Sequence, residues 1–423
     1  MTSSTLQPAM SVLPSKKTSI ILSAIAVIVF LCFGLLGNSE SAHFQLNSSG
    51  DAFELPELVF PGRASNIVIG LLLVGIAAYS WMQRKKGQTL ATWMVAIAAV
   101  LFVLSFLIWV VSGADISTIS LASLLAGAVV LAVPLVFGSL SGVLCERAGV
   151  VNIAIEGQLL GGAFTAALVS SLTKNAFLGL IAAGIAGALV SLVLALFSIK
   201  YVVNQIIVGV VLNVLVSGIT GFLFTTVMQE DPELFNSPVH LPVIEIPLLS
   251  AIPVIGPILF KQSVIGYLMY LAVFIVWFGL FKTKWGLRVR AVGEHPKAAD
   301  TLGIKVNRTR FWNVTLGGIV AGIGGSFFTL VAIDSFTKEI SGGRGFIALA
   351  AVIFGRWNPI GAFLAALLFG FADNLQVILT IIGTPVPSQF MAMMPYLVTI
   401  FAVAGLVGRS RGPAAAGEPY VKE

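Results

Sequence analysis

Long apolar runs, broken by short polar turns, make up most of this chain. They fall near residues 20–37, 66–82, 90–111, 119–143, 153–171, 176–199, 206–227, 263–281, 313–332, 359–382 and 391–408. Each is roughly 17–25 residues long, the length an α-helix needs to cross a hydrocarbon core about 30 Å thick. A shorter run, 345–355, reads either as a tilted crossing or as a re-entrant segment. Runs this long exclude the alternating strands, about 9–11 residues each, of a membrane barrel. Backbone polar groups in lipid must be satisfied within their own element, so the runs predict helices. The expected fold class is all-α: a polytopic α-helical membrane protein with about 11–12 transmembrane segments.

Composition agrees. Soluble domains carry about 25% charged residues, whereas here the charged share is 10% and the hydrophobic share 57%. The net charge of +6 raises nucleic acid as a partner, but the charges are unevenly spread. With a cytoplasmic N-terminus and a crossing at 345–355, the outer segments hold only Arg63, Lys174, Lys261, Lys338 and Arg344 of the 24 Lys and Arg residues. The rest lie inside, eight of them between 282 and 310. This is the positive-inside asymmetry of membrane proteins. It accounts for the basic balance with membrane lipid as the surrounding partner and no nucleic acid, and it places both termini in the cytoplasm. Cys32 and Cys145 fall in or beside different spans, so neither a disulfide framework nor a metal cluster is indicated.

Along the chain, residues 1–115 form a prefix of three spans that presents no chemistry. From 116 to 409 the spans become richer in Gly and small polar residues, which marks a working core, and 410–423 is a cytoplasmic tail. Two core loops are long. The external loop 228–262 contains Pro232, Pro238, Pro242, Pro247, Pro253 and Pro257, too many prolines for a regular helix. The cytoplasmic loop 282–312 is strongly basic.

An ionised carboxylate at bilayer depth costs at least ~2.5–3.5 kcal/mol. Glu156 and Asp373 are the acids that fall within spans, so both are expected to face protein or water. Asn152 and Glu156 stand i, i+4, on one helix face, with Gly157 and Gly161 as a small-xxx-small pair beside it. Polar and small residues recur every four positions as Gln205, Gly209, Asn213, Ser217 and Gly221, and again as Ala362, Ala366, Gly370 and Asn374. Asn152, Glu156, Asn213, Asp373 and Asn374 are the candidates for a substrate path. For the two acids the competing reading is a hydrogen bond that fixes one helix to another. Gly157, Gly161, Gly318, Gly322 and Gly370 read as helix-packing positions, since small residues let membrane helices approach. Glu146 and Arg147 mark a helix boundary.

In the basic loop, "VRAVGEHPKAADTLGIKVNRTRF" (289–311) puts Pro296 where a short helix can start and Gly303 where it can stop. Ala298, Ala299 and Leu302 are expected to share its apolar face. A helix of about seven residues does not persist alone, so that face should rest on a partner protein or a membrane surface.

Three segments, in order, carry a family resemblance: "ERAGVVNIAIEGQLLGGAF" (146–164), "RAVGEHPKAADTLGI" (290–304) and "GGRGFIALAAVIFGRWNPIGAFLAALLFGFADNLQ" (342–376). Residues 119–409 resemble the permease subunit of an ATP-binding-cassette importer. The group serves ribose-like sugars, nucleosides and branched-chain amino acids, and the first segment is most similar to the nucleoside and simple-sugar branch. The loop is similar to the Glu-Ala-Ala-xxx-Gly pattern that docks on the ATPase. Ala298, Ala299 and Gly303 match it, Gly293 and Leu302 flank the match, and Lys297 stands where the pattern has Glu.

The resemblance implies a membrane-spanning subunit that forms the translocation path for a small polar solute, a nucleoside first, ribose or another simple sugar second. The sequence has no G-x-x-x-x-G-K-[ST] phosphate loop. By this resemblance the chain is no enzyme and binds no cofactor or metal, and ATP is used by a separate cassette ATPase subunit. The implied partners also include a second permease subunit, identical or related, and an extracellular substrate-binding lipoprotein that could dock on 228–262. The setting would be a bacterial cell membrane. The rival class is an ion-coupled secondary transporter of a small polar solute, which also uses polar intramembrane groups and broken helices. An intramembrane serine protease is disfavoured because His43, His240 and His295 all fall in loops.

Overall fold

The computed structural model of the chain describes residues 16–46, 55–384, 389, 390, 393 and 411–422. Among these, ten helices are long and apolar enough to cross a membrane, and they coincide with ten of the eleven long runs. The eleventh, 391–408, lies outside the described residues apart from Met393. The chain is an integral membrane protein, and it divides into two compact units.

The first unit holds α1 (Lys17–Ile28, widening into a π-helical stretch to Leu35), α2 (Gly62–Lys85) and α3 (Thr92–Val111). Polar side chains pin them together: Ser19 and Ser80 share a hydrogen bond at 2.8 Å, and Ser105 donates to Asn66 at 2.7 Å. Such bonds are available glue where lipid offers no competing partner. Phe33 stacks on Trp109 at 4.8 Å. The apolar pattern gave no sign of the small sheet found here. β1 (Ser41–Gln45) pairs antiparallel with β2 (Leu58–Pro61) and parallel with β3 (Thr118–Ser120). These strands are three to five residues long, below what a periodicity argument resolves.

The second unit contains α4 (Leu121–Arg147, from Ala122), α5 (Ile155–Thr173), α6 (Ala176–Ala195) and α7 (Gln205–Leu223). The side chain of Asn175 caps α6 by accepting from the Phe177 and Leu178 amides, and Asn204 does the same for α7. These are the acceptors that helix N-termini require. The long loop 228–262 contains only the short helices α8 (Pro232–Phe235) and α9 (Ile255–Leu259), plus a strand pair, β4 (Val243–Glu245) with β5 (Lys261–Ser263). The unit continues with α10 (Val264–Lys282), α11 (Lys284–Glu294), α12 (Pro296–Thr301), α13 (Val306–Phe327, with a π-helical stretch to Ala332), α14 (Arg344–Phe354) and α15 (Pro359–Ile381, to Leu375).

The core lies where α5, α6 and α13 meet. A Cβ on Gly162 would strike the Gly322 backbone, one on Gly187 the Gly318 carbonyl, and one on Gly325 the Leu159 carbonyl. Three backbones therefore touch directly, an arrangement that only small residues permit.

The 345–355 run forms a helix, α14, that is shorter than the ten candidate spans. α14 has 11 residues, about 16 Å of helix at 1.5 Å per residue, half of a ~30 Å core. It runs alongside the second half of α4: Gly138 abuts Ala348, Gly142 abuts Val352, and Trp357 bonds Glu146. Residues 333–343 ahead of it are mostly irregular and follow α5, with Phe336 against Phe164 and Ser341 bonded to Glu156. Irregular backbone at membrane depth is tolerated only where protein or water satisfies its polar groups.

Candidate functional site

Glu156 sits in the first turn of α5 and is buried. Its Oε1 accepts from Ser341 Oγ at 2.6 Å and from the Gly343 amide at 2.8 Å, while Oε2 accepts from the Gly345 amide at 2.6 Å. The carboxylate thus caps the N-terminus of α14, across 185 to 189 positions of sequence. Two effects make this favourable: the free amides of a helix start need acceptors, and a negative charge there complements the helix dipole. Gly343 has φ of 80°, a conformation glycine adopts without strain. A Cβ on Gly345 would collide with the Glu156 backbone and would lie 2.7 Å from Oε2. A carboxylate offers about four acceptor positions; protein donors fill three of them.

Asn152 does not share a helix face with Glu156, as the i, i+4 spacing predicted. α5 starts only at Ile155, so Asn152 lies in the loop before it. Here it exchanges bonds with Gln158, donating to Oε1 at 3.0 Å and accepting from Nε2 at 3.2 Å, and it donates to Ser141 at 3.0 Å. Gln158 also donates to Ser191 at 2.8 Å. Asn213 clamps the same loop from α7: its Oδ1 accepts from the Gly157 amide at 2.8 Å and its Nδ2 donates to the Ile153 carbonyl at 2.9 Å. Gln205 accepts from the Val151 amide at 2.7 Å. The 148–154 loop is irregular backbone inside the bundle, and side-chain amides replace water as its partners.

The other candidates lie on α15. Asn374 is buried and donates to the Leu124 carbonyl at 2.7 Å. Asp373 stands 4.0 Å from Arg344, whose guanidinium also covers the Phe328 ring at 5.6 Å. Arg344 occupies the first turn of α14, where a cation opposes the dipole; Asp373 offsets this. Replacing Asp373 with Asn should lower thermal stability, and the loss should shrink in an Arg344→Met background, with a coupling of about 1 kcal/mol. Additive losses in a thermal-shift cycle would show that the pair does not interact. Nearby, Phe336 makes edge contacts with Phe164 at 5.3 Å and Phe224 at 5.8 Å, whereas Phe222 is exposed. Ser217 bonds Glu339.

The packing glycines divide. Gly157 lies against Asn213, Gly318 against Ser191, Gly322 against the Ala183 carbonyl and Gly370 against the Ala128 carbonyl. Gly161 has only an ordinary contact, Val216 at 3.5 Å. Gly161→Ala should therefore keep the thermal midpoint, within about 0.5 kcal/mol.

At the end of the bundle where α4 stops, α12 forms as expected, with Pro296 opening it and Gly303 (φ 80°) following it. Its faces differ from the expectation. Ala299 is buried against Val292 and Val306, while Ala298 and Leu302 are exposed, Leu302 at 81%. The apolar stripe is split because one residue of the six-residue helix must anchor it to α11 and α13. Gly293 belongs to the last turn of α11, where it lets that helix close on the Arg147 carbonyl. Arg147 in turn donates to the Trp357 carbonyl at 2.9 Å and lies 4.0 Å from Glu294. Contacts thus run from α12 through α11, Arg147 and Trp357 to α14 and Glu156.

Sequence reasoning named both acids but none of the partners Ser341, Gly343, Gly345 and Gln158. A usable signal was present in "SGGRG" (341–345), a glycine-rich run ahead of a short apolar helix, the form of an anion-holding helix start.

A bundle of helices long and apolar enough to cross a membrane, with a short helix capped by a buried carboxylate, fits a solute-transport permease core. Comparison with known proteins makes this specific. Residues 123–403 match the family described as the permease component of branched-chain amino acid transport systems. The chain is 42% identical to the guanosine ABC transporter permease protein NupQ of Bacillus subtilis over 307 residues, 69% of this chain and 94% of that one. It is 38% identical to the nucleoside ABC transporter permease protein NupC of Lactococcus lactis, covering 71% and 96%. It is 33% identical to the putative glucose ABC transporter permease protein TsgC13 of Haloferax volcanii, covering 71% and 98%. No solved structure matches. The chain belongs to this family of ABC transporter permeases.

Proposed function

We propose that the chain is the membrane-spanning subunit of an ATP-driven importer of nucleosides in the cell membrane, with the α11–α12 end in the cytoplasm. The observation that carries the substrate class is the identity of 42% and 38% to guanosine and nucleoside permeases over nearly their whole length. The glucose permease relative, at 33%, makes a simple sugar the second reading. ATP is hydrolysed by a separate subunit docked at Ala298 and Leu302. A second permease chain completes the path, and an extracellular substrate-binding protein meets the proline-rich loop 228–262.

In this reading the ATPase displaces α12, and the displacement travels through Gly293, Arg147 and Trp357 to α14. Glu156 holds α14 in one of two arrangements, and Asp373, Arg344 and the Phe164–Phe336–Phe224 cluster lie along the solute path. Such a scheme changes solute affinity only if the two arrangements bind it unequally.

Uptake of labelled guanosine tests the substrate. Cells carrying the gene should accumulate it at least about tenfold over cells lacking it, with excess unlabelled glucose or ribose without effect. Competition by the sugars, with none by other nucleosides, would favour the second reading. For the partner, an N-terminally tagged protein should co-purify with a phosphate-loop ATPase, and Ala298→Asp with Leu302→Asp should abolish recovery. Both side chains are exposed, so the fold is expected to persist. Uptake that survives ATP depletion but collapses with ionophores would sink the importer assignment.

A further inference from the structure

The tail, Arg411–Lys422, is fastened to the same end as α11 and α12. The Ala414 amide donates to Glu294 Oε2 at 3.2 Å, the Ala415 amide to the Gly293 carbonyl at 2.9 Å and the Gly417 amide to the Gly149 carbonyl at 3.3 Å. Arg310, buried within α13, donates to the Glu418 carbonyl at 2.8 Å. Lys422 reaches Asp300 at 3.5 Å. Ala415 is buried, Tyr420 packs on the Val292–Ala299–Val306 cluster, and Gly412 abuts the Trp357 ring. These contacts leave an open groove with His295 and the α12 residues Pro296 to Ala298 as one wall and Pro419, Tyr420 and Val421 as the other. Its surroundings offer exposed apolar side chains, Leu302 at 81% and Val421 at 65%. The groove lining itself carries charges of both signs, Lys297 and His295 beside Glu294 and Glu418.

We propose that the docking surface for the ATP-hydrolysing subunit is composite: α12 provides one side of the groove and the C-terminal tail the other. The proposal rests on the permease reading above. The partner's chemistry follows from the surface: a projecting apolar side chain to enter between Ala298 and Val421, set among polar groups of both signs that can meet Lys297, Glu294 and Glu418. A protein fits this better than a lipid headgroup layer. The groove is walled on two sides and backed by a strap tied to backbone carbonyls, and a helix of six residues is too short to act as an amphipathic anchor. The tail is also joined to α12 through Lys422 and Asp300 at 3.5 Å, so a body seated on the exposed Ala298 meets Val421 across the groove.

The test compares three N-terminally tagged proteins extracted gently from the native membrane: the full chain, a truncation lacking 411–423, and Val421→Asp. The truncation should recover the phosphate-loop ATPase at least about tenfold less well and Val421→Asp about threefold less, as for loss of a central contact. The size-exclusion profile should be unchanged. Should the truncation aggregate, Val421→Asp decides, because that side chain is exposed and its loss leaves every tether in place. Equal ATPase recovery from the soluble variants overturns the proposal. A loss confined to co-purified anionic lipid overturns it in favour of a membrane contact, and a change in oligomeric size with ATPase recovery intact overturns it in favour of a second copy of this chain. If the full-length protein recovers no ATPase, the permease reading fails first, and this surface fails with it.

Discussion

Glu156→Ala should remove most transport activity and lower the thermal midpoint of the detergent-solubilised protein. The carboxylate accepts three hydrogen bonds, from Ser341, Gly343 and Gly345. Truncation leaves those donors buried with no acceptor, at about 1–3 kcal/mol for each, and removes a charge that favours the helix start. The penalties do not add fully, so a total near 4 kcal/mol is expected. Glu156→Gln should fall between wild type and Ala. Its single oxygen can still accept from Ser341 and Gly343, but its amide group turns a donor toward the Gly345 amide. The measurement is a thermal-shift series alongside labelled-solute uptake at matched expression. A Glu156→Ala protein with the wild-type midpoint would mean that the cap does not hold α14. A wild-type midpoint with lost uptake would point instead to direct solute contact.

Gly322→Val should abolish recovery of monodisperse protein altogether. At this position a Cβ meets the Ala183 carbonyl and lies 3.0 Å from the Gly187 backbone. The colliding groups are main chain, not the ends of flexible side chains, so nothing local can move aside. Overpacking of a core commonly costs about 1–3 kcal/mol and more where backbones must part. Here the obstruction separates α6 from α13, which together with α5 form the core. Fluorescence-detected size exclusion is the readout, with Gly161→Ala as the tolerated control. A monodisperse Gly322→Val protein would show that the three-helix contact is looser than its geometry.

The spans were legible because lipid imposes one demand on every residue of a crossing. Apolar runs of helical length therefore stand out from local sequence alone. The two acids were legible for the complementary reason, since a charge in such a run is costly enough to need an explanation. What they touch was not legible. Glu156 finds its donors 185 positions away, and nothing near Glu156 in sequence specifies them. The Asn152 reading failed because "VVNIAIEG" is apolar whether helical or not. Gly149, at φ of 90°, ends α4, and the amide clamps from Asn213 and Gln205 keep the next residues irregular. The tail was missed because most of its tethers use backbone groups, which carry no residue signature.

The cap on α14 also fixes an order of events during synthesis. Glu156 enters the membrane with α5, while its donors lie 185 to 189 residues further along the chain. At ~5–20 residues per second, the carboxylate waits roughly ten to forty seconds for Ser341, Gly343 and Gly345 to be made. Through that interval the nascent permease carries an uncompensated acid in a half-built bundle. The contact of α5, α6 and α13 can form within that interval, but the cap cannot. It closes only when α14 arrives, late and through a contact of very long sequence separation, the kind whose entropy is lost before any stabilisation is gained.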